Sequence, residues 1–132
     1  MKAPSPGKSV EELIEIGLSH HNASRIEEAF KVYQKVLQIS PENPDALHFL
    51  GVACHQLHNN DLALQFLERA VPLKPNNSAV FNHYGSVLLT IPSLEMAERA
   101  FRKAIELRPL NAEAIFNLGN LIISSHELNL NL

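Results

Sequence analysis

The sequence predicts an all-α solenoid of antiparallel helix pairs, about seven helices in all. Three observations predict it. Glycine recurs every 34 residues at Gly17, Gly51, Gly85 and Gly119. Alanine keeps the interval at Ala29, Ala63 and Ala97, and proline at Pro41, Pro75 and Pro109, each two residues before an asparagine (Asn43, Asn77 and Asn111). All but one of the chain's 5 glycines fall on this register, so chance is a poor explanation. A period of this length marks stacked helix pairs.

Each unit opens with two large apolar or aromatic residues three apart: Leu13/Ile16, Leu47/Leu50, Phe81/Tyr84 and Ile115/Leu118. That spacing sets both side chains on one helical face. The recurring glycine follows, and it costs a helix about 1 kcal/mol against alanine. A second helix crossing closely enough to exclude a side chain supplies the reason. The alanines fit the other side of that contact, and Tyr33, Leu67 and Phe101, four residues after them, fill the space between units.

In order, residues 1–8 hold two prolines, a glycine and two lysines and are expected to form a flexible tail. Ser9 with Glu12 forms a capping box that opens the first helix, and Ser24 with Glu27 a second that opens a helix ending before Pro41. Asn43 caps the third helix, with Pro44 at its first position. Asn60 is expected to cap the fourth, which Pro72 should end or kink about a turn early by removing a donor and clashing with the preceding turn. Asn77, Ser93 and Asn111 cap the fifth, sixth and seventh helices. The expected domain is residues 9–125: units at about 10–43, 44–77 and 78–111, a first helix of a fourth at 112–125, and a tail at 126–132.

These small and large residues and prolines together resemble the tetratricopeptide repeat (TPR), a 34-residue helix-turn-helix, over nearly the whole chain. The resemblance implies a right-handed superhelical solenoid whose first helices line a concave face, and a function in protein–protein interaction. Helical spacing places on that face Ile14, Leu18 and His21; His48, Phe49, Val52 and His55; Asn82, His83, Ser86 and Leu89; Phe116, Asn117 and Asn120. This mixture of apolar, amide and imidazole groups suits a peptide or partner segment with apolar anchors, with asparagines available to its backbone. The expected groove residues are His48, Phe49, Asn82, His83, Phe116 and Asn117. Some family members hold acidic heat-shock-protein tails with a clamp of lysine, arginine and asparagine. The corresponding places here are Ile14, Leu18, Phe49, Ala79 and His83, none of them such a residue, so that mechanism is not expected.

Other classes find little support. Net charge is −3, which gives no reason to expect nucleic acid or an anionic membrane as partner. No stretch approaches the roughly 18–20 apolar residues of a membrane span. The start, MKAPSPGK, lacks an apolar core, and the chain has 1 cysteine, so the cytoplasm is the expected compartment. The 7 histidines invite a metal, but His48 and His55 are seven apart, His55 and His58 three apart, and no Cys-x-x-Cys exists, so no metal or other cofactor is expected. Neither a Gly-x-Ser-x-Gly elbow nor a phosphate-binding glycine loop is present, so the chain is not expected to be an enzyme. The stretch ERAFRKAIELR reads as a solvated face, with Glu98/Arg102 and Arg102/Glu106 at helical spacing.

The last helix brings a structural alternative. It contains Leu118, Leu121, Ile122 and Ile123 and has no recognisable second helix after it. Terminal repeats need a polar outer face. Self-association through Leu121 and Ile122, giving a homo-oligomer, is therefore the alternative to groove binding. A third is that the chain is the N-terminal recognition arm of a longer enzyme, because AEAIFNLGN also resembles arrays that precede catalytic domains in bacterial glycosyltransferases.

Overall fold

The structure, a computed structural model, describes residues 7–130. Its helices are α1 (Val10–Asn22), α2 (Ile26–Ile39), α3 (Pro44–Gln56), α4 (Asn60–Ala70), α5 (Ser78–Leu88), α6 (Leu94–Leu107) and α7 (Ala112–Leu130), with a 3-10 turn at Val71–Leu73. They form a right-handed solenoid of antiparallel pairs, α1 on α2, α3 on α4 and α5 on α6. Each second helix also packs on the first helix of the next unit, so α2 meets α3, α4 meets α5 and α6 meets α7. The expected N-terminal tail lies, through residue 6, outside the described residues.

The register of small residues is the packing code of this stack. Ala29, Ala63 and Ala97 are fully buried, as are Tyr33, Leu67 and Phe101 four residues on. Each of these large side chains lies under the glycine of its own unit, Tyr33 under Gly17, Leu67 under Gly51 and Phe101 under Gly85. A Cβ at Gly85 would lie 2.6 Å from Phe101 Cε1, and one at Gly51 2.5 Å from Leu67 Cγ. Gly119 differs: nothing lies within 4 Å of where its Cβ would be, because no second helix of the fourth unit crosses it among the described residues. The two sites should therefore respond oppositely to alanine. Gly119→Ala is expected to stabilise α7 by up to about 1 kcal/mol. Gly85→Ala gains the same helix propensity but meets the Phe101 ring, where overpacking costs about 1–3 kcal/mol. Thermal melts in which both variants move in the same direction would contradict this account.

Capping agrees with expectation at Ser9, Asn43, Asn77 and Asn111 and departs from it at Ser24, Asn60 and Ser93. Ser9 accepts from Glu12 N–H at 3.1 Å, and Asn43, Asn77 and Asn111 accept from the N–H groups of Ala46, Val80 and Ala114. Ser24 forms no capping box. It sits in the left-handed region (φ 62°) inside the turn, and Arg25 takes the cap position without a side-chain capping bond, its Nε donating to His20 Nδ1 instead. His58 holds the same register one unit on, with φ 64°. The cap of α4 is Asn59, not Asn60, accepting from Leu62 N–H at 3.3 Å. Ser93 stands at the cap of α6 but makes no capping bond.

Pro72 acts as its ring chemistry requires. The fourth helix ends at Ala70 after 11 residues, whereas α2 and α6 run for 14, and the chain continues as the 3-10 turn. The last helix corrects an expectation: α7 continues to Leu130, beyond residue 125. The stretch SSHELNL carries no glycine or proline to stop it, and Leu and Glu are good helix formers. Residues 131 and 132 lie outside the described residues.

Candidate functional site: a ladder of side chains across the first helices

The first helices α1, α3, α5 and α7 lie side by side, each in contact with the next. Across them runs a series of side-chain hydrogen bonds at a separation of 35 residues, one more than the repeat. His21 Nε2 meets Gln56 Oε1 at 2.6 Å, His48 Nε2 meets His83 Nδ1 at 2.7 Å, and Asn117 Nδ2 donates to Asn82 Oδ1 at 3.0 Å. The last two rungs join the same register positions in successive units, with imidazoles in one and amides in the other. The corresponding pair in the first unit is Ile14 and Phe49.

An aromatic row runs through the ladder. Phe49 stacks on His48 with centroids 5.0 Å apart and an interplanar angle of 27°, and packs against Tyr33 at 5.6 Å. The Tyr33 hydroxyl meets His21 Nδ1 at 3.2 Å. Because His21 Nε2 faces the carbonyl oxygen of Gln56, the neutral ring carries its proton on Nε2, and Tyr33 donates to Nδ1. Burial pushes the Tyr33 hydroxyl up to about 12, so it stays a donor. Lys74 lies 5.8 Å from the Phe49 centroid and pairs with Asp45.

The His48–His83 rung has one arrangement that suits its surroundings. His48 is 3% exposed, and its Nδ1 is buried without a hydrogen-bond partner. A proton on Nδ1 would leave a donor unpaired in a dry site, which costs more than a bare lone pair. The neutral pair therefore has His48 donating from Nε2 to His83 Nδ1, which leaves His83 with a proton on Nε2. Burial, then the neighbouring His83 and Lys74, lowers the His48 pKa to about 3. Burial also lowers that of His83, partly opposed by the carboxylate of Glu113. The rung is neutral at ordinary pH.

The structure sorts the expected groove residues into two layers. His48 and Asn82 are buried, at 3% and 2% exposure, and hold His83 and Asn117 in place from beneath. His83, Asn117 and Phe49 are half-buried, and Phe116 is 67% exposed. Of the pair considered for self-association, Leu121 is buried against Leu88, Ala97 and Phe101 and is therefore not available to a partner, whereas Ile122 is 46% exposed. The 35-residue ladder was missed in the sequence. Its signal was there: polar residues at position five of one unit recur at position six of the next, a shift that appears only when units are compared diagonally. Among the described residues no three His, Cys, Asp or Glu side chains converge as metal ligands, and no helix is long and apolar enough to cross a membrane.

The tetratricopeptide repeat profile matches residues 22–82. No curated protein matches this sequence. Among solved structures, the Sgt2 TPR domain from Aspergillus fumigatus is similar with a TM-score of 0.84 and 20% identity, covering 96% of this chain and 87% of that one. The first TPR of Spaghetti (RPAP3), bound to HSP90 peptide SRMEEVD, is similar with a TM-score of 0.82 and 23% identity, covering 89% of this chain and 93% of that one. At these identities the likeness is one of fold. A mutant O-GlcNAc transferase of Thermobaculum terrenum is 31% identical with a TM-score of 0.78, covering 89% of this chain but 23% of that one.

Proposed function

Because the chain belongs to the tetratricopeptide-repeat family, we propose that it is a protein-interaction module whose concave groove holds an extended partner segment. The observation that carries this is the two-layer ladder. Groups that are already oriented lose less entropy on binding than free side chains do. Asn117 commits one N–H to Asn82 and keeps its Oδ1 and second N–H for a partner's backbone. His83 offers an Nε2–H donor beside it. Phe116 and Phe49 provide the apolar contacts, with His48 and Asn82 as positioning residues. The similar Spaghetti domain is bound to a peptide, which supports the class of partner. The chemistry differs from that of an acidic tail, since Ile14, Leu18, Phe49, Ala79 and His83 supply no fixed positive charge. The segment inferred here is uncharged and apolar rather than EEVD-like.

The test is a pull-down from native cell extract comparing wild type with Phe116→Glu plus Asn117→Ala. Both residues are at least partly exposed, so circular dichroism should show an unchanged fold. A partner retained by wild type and lost by the variant is expected. An identical partner set in both would remove the groove as the binding site.

A second reading rests on Gly119. Its surroundings are open where Gly17, Gly51 and Gly85 are covered, and Ile115 and Ile122 stand exposed, at 47% and 46%, near it on the helix. Another copy of the chain seated there would give concentration-dependent size in sedimentation, lost on Ile122→Glu. Size independent of concentration would leave the groove reading alone. The likeness to the O-GlcNAc transferase supports a third use, as the recognition arm of an enzyme whose catalytic part lies outside these residues.

A further inference from the structure

Away from the groove, the seam between the paired helices α5 and α6 stands open. Phe81 and Tyr84 of α5 and Met96 and Ala100 of α6 enclose a cavity of about 320 Å³, within the roughly 300–1,000 Å³ of ligand sites. Phe81 and Tyr84 lie on a different face of α5 from Asn82, His83 and Ser86, because each residue turns the helix by about 100°. The cavity is thus separate from the ladder.

Comparing units shows what the seam lacks. One period before Ala100 stands Phe66, whose ring packs against the clusters containing Leu47, Leu50 and Leu67. In the third unit that place carries only a methyl group. Phe81 and Tyr84, which correspond to the fully buried Leu47 and Leu50, remain half-exposed. The seam is short of one aromatic side chain.

Its rim is cationic. Arg99 and Lys103 line the cavity and no carboxylate does. Among the described residues Arg99 has no ion pair, and Lys103 makes only an exposed contact with Glu106 at 3.3 Å, a kind of pair that holds weakly. In the second unit the surface beside Arg69 includes Glu42 and Glu68 instead. In the first unit, where the equivalent residue is Val32, the seam along Leu13 and Ile16 is also open, with Lys8 and Lys35 beside it. An open apolar seam with two cations thus occurs in the units that lack the phenylalanine.

We propose that the α5–α6 seam is a docking site for a partner protein segment that presents an aromatic side chain flanked by carboxylates. The ring takes the place that Phe66 occupies in the second unit, and the acids meet Arg99 and Lys103. An aromatic ring supplies the apolar area the site leaves open, and Arg99 suits a carboxylate through its forked donors. This is a second interaction surface, independent of the groove, and it selects an acidic segment where the groove selects an uncharged one.

The test is fluorescence polarisation with a dye-labelled peptide carrying one phenylalanine between paired aspartates. Wild type is expected to bind it saturably and to ignore the same peptide with alanine for phenylalanine. Ala100→Phe fills the seam from within, as the second unit already does, and is expected to weaken binding at least about tenfold with no loss of melting temperature. Arg99→Glu with Lys103→Glu, both on the solvent-facing rim, is expected to produce a similar loss without touching the core. Absence of saturable binding by wild type, or unchanged affinity in a folded Ala100→Phe, overturns the proposal. Should Ala100→Phe fail to fold, unchanged affinity in the charge-reversed protein overturns it. A loss caused by Phe116→Glu instead would put the peptide in the groove and also overturn it.

Discussion

Phe101→Ala should destabilise the protein by about 3–5 kcal/mol, the range for deleting a fully buried phenylalanine. The ring is 0% exposed and packs with Leu88, Ala97, Ala100, Leu118 and Leu121. It also lies directly under Gly85, where no side chain can swing in to fill the space it leaves. The loss should be local before it is global. In a stack, stability is a sum of unit and interface contributions, and this ring forms the interface between the third unit and α7. Hydrogen exchange should therefore show the α7 amides exposed early, with α1 and α2 protected nearly as in wild type. The melting midpoint should fall by roughly 10 °C or more. A midpoint within a degree or two of wild type would show that the neighbours collapse into the vacated space, and that the glycine–aromatic contact is not what holds the end of the stack.

That contact was legible in the sequence because it depends on a fixed interval. A glycine at one place and a large residue at a fixed distance after it are enough to infer two helices crossing closely, and the structure shows the pairing in all three complete units. Pro72 was legible for a similar reason, since its effect is local and covalent. Helix starts were less so. Ser24 fits a cap by composition and Arg25 does not, yet the tight turn holds Ser24 in a left-handed conformation that takes its side chain out of capping geometry and leaves Arg25 at the cap position.

The site was legible only in outline. Helical spacing named the face but not the layers within it. His48 and Asn82 have the same period as residues that reach the open groove, yet they are covered by the next helix, so depth depends on inter-unit rotation rather than on position along one helix. Leu121 shows the same limit in reverse: adjacent to the exposed Ile122, it is turned into the core by 100° of helix. The open seam over Ala100 was not visible either, because a missing side chain becomes a cavity only where its neighbours fail to close over it.

Acid should unfold the protein through His48. In the unfolded chain this imidazole takes up a proton below about pH 6.5, whereas in the folded protein burial holds it neutral down to about 3. Between those values the unfolded state binds more protons, so stability is full above about pH 6.5 and falls as the pH falls. The loss at pH 5 is about 2 kcal/mol from this one residue, a drop of roughly 6–10 °C in melting midpoint. The groups around it reinforce the effect. A first proton on the pair would occupy His48 Nδ1, which has no acceptor, and both His83 and Lys74 disfavour a charge there. Asp45 is already engaged by Lys74, and Glu113 acts on His83 rather than on His48. His48→Ile places at this position the residue type that the first unit carries as Ile14. The variant should show a visibly shallower decline between pH 7.5 and 5, whatever its stability at neutral pH. Parallel pH profiles for wild type and variant would mean that His48 finds a proton acceptor in solution, and the neutral imidazole rung would have to be abandoned.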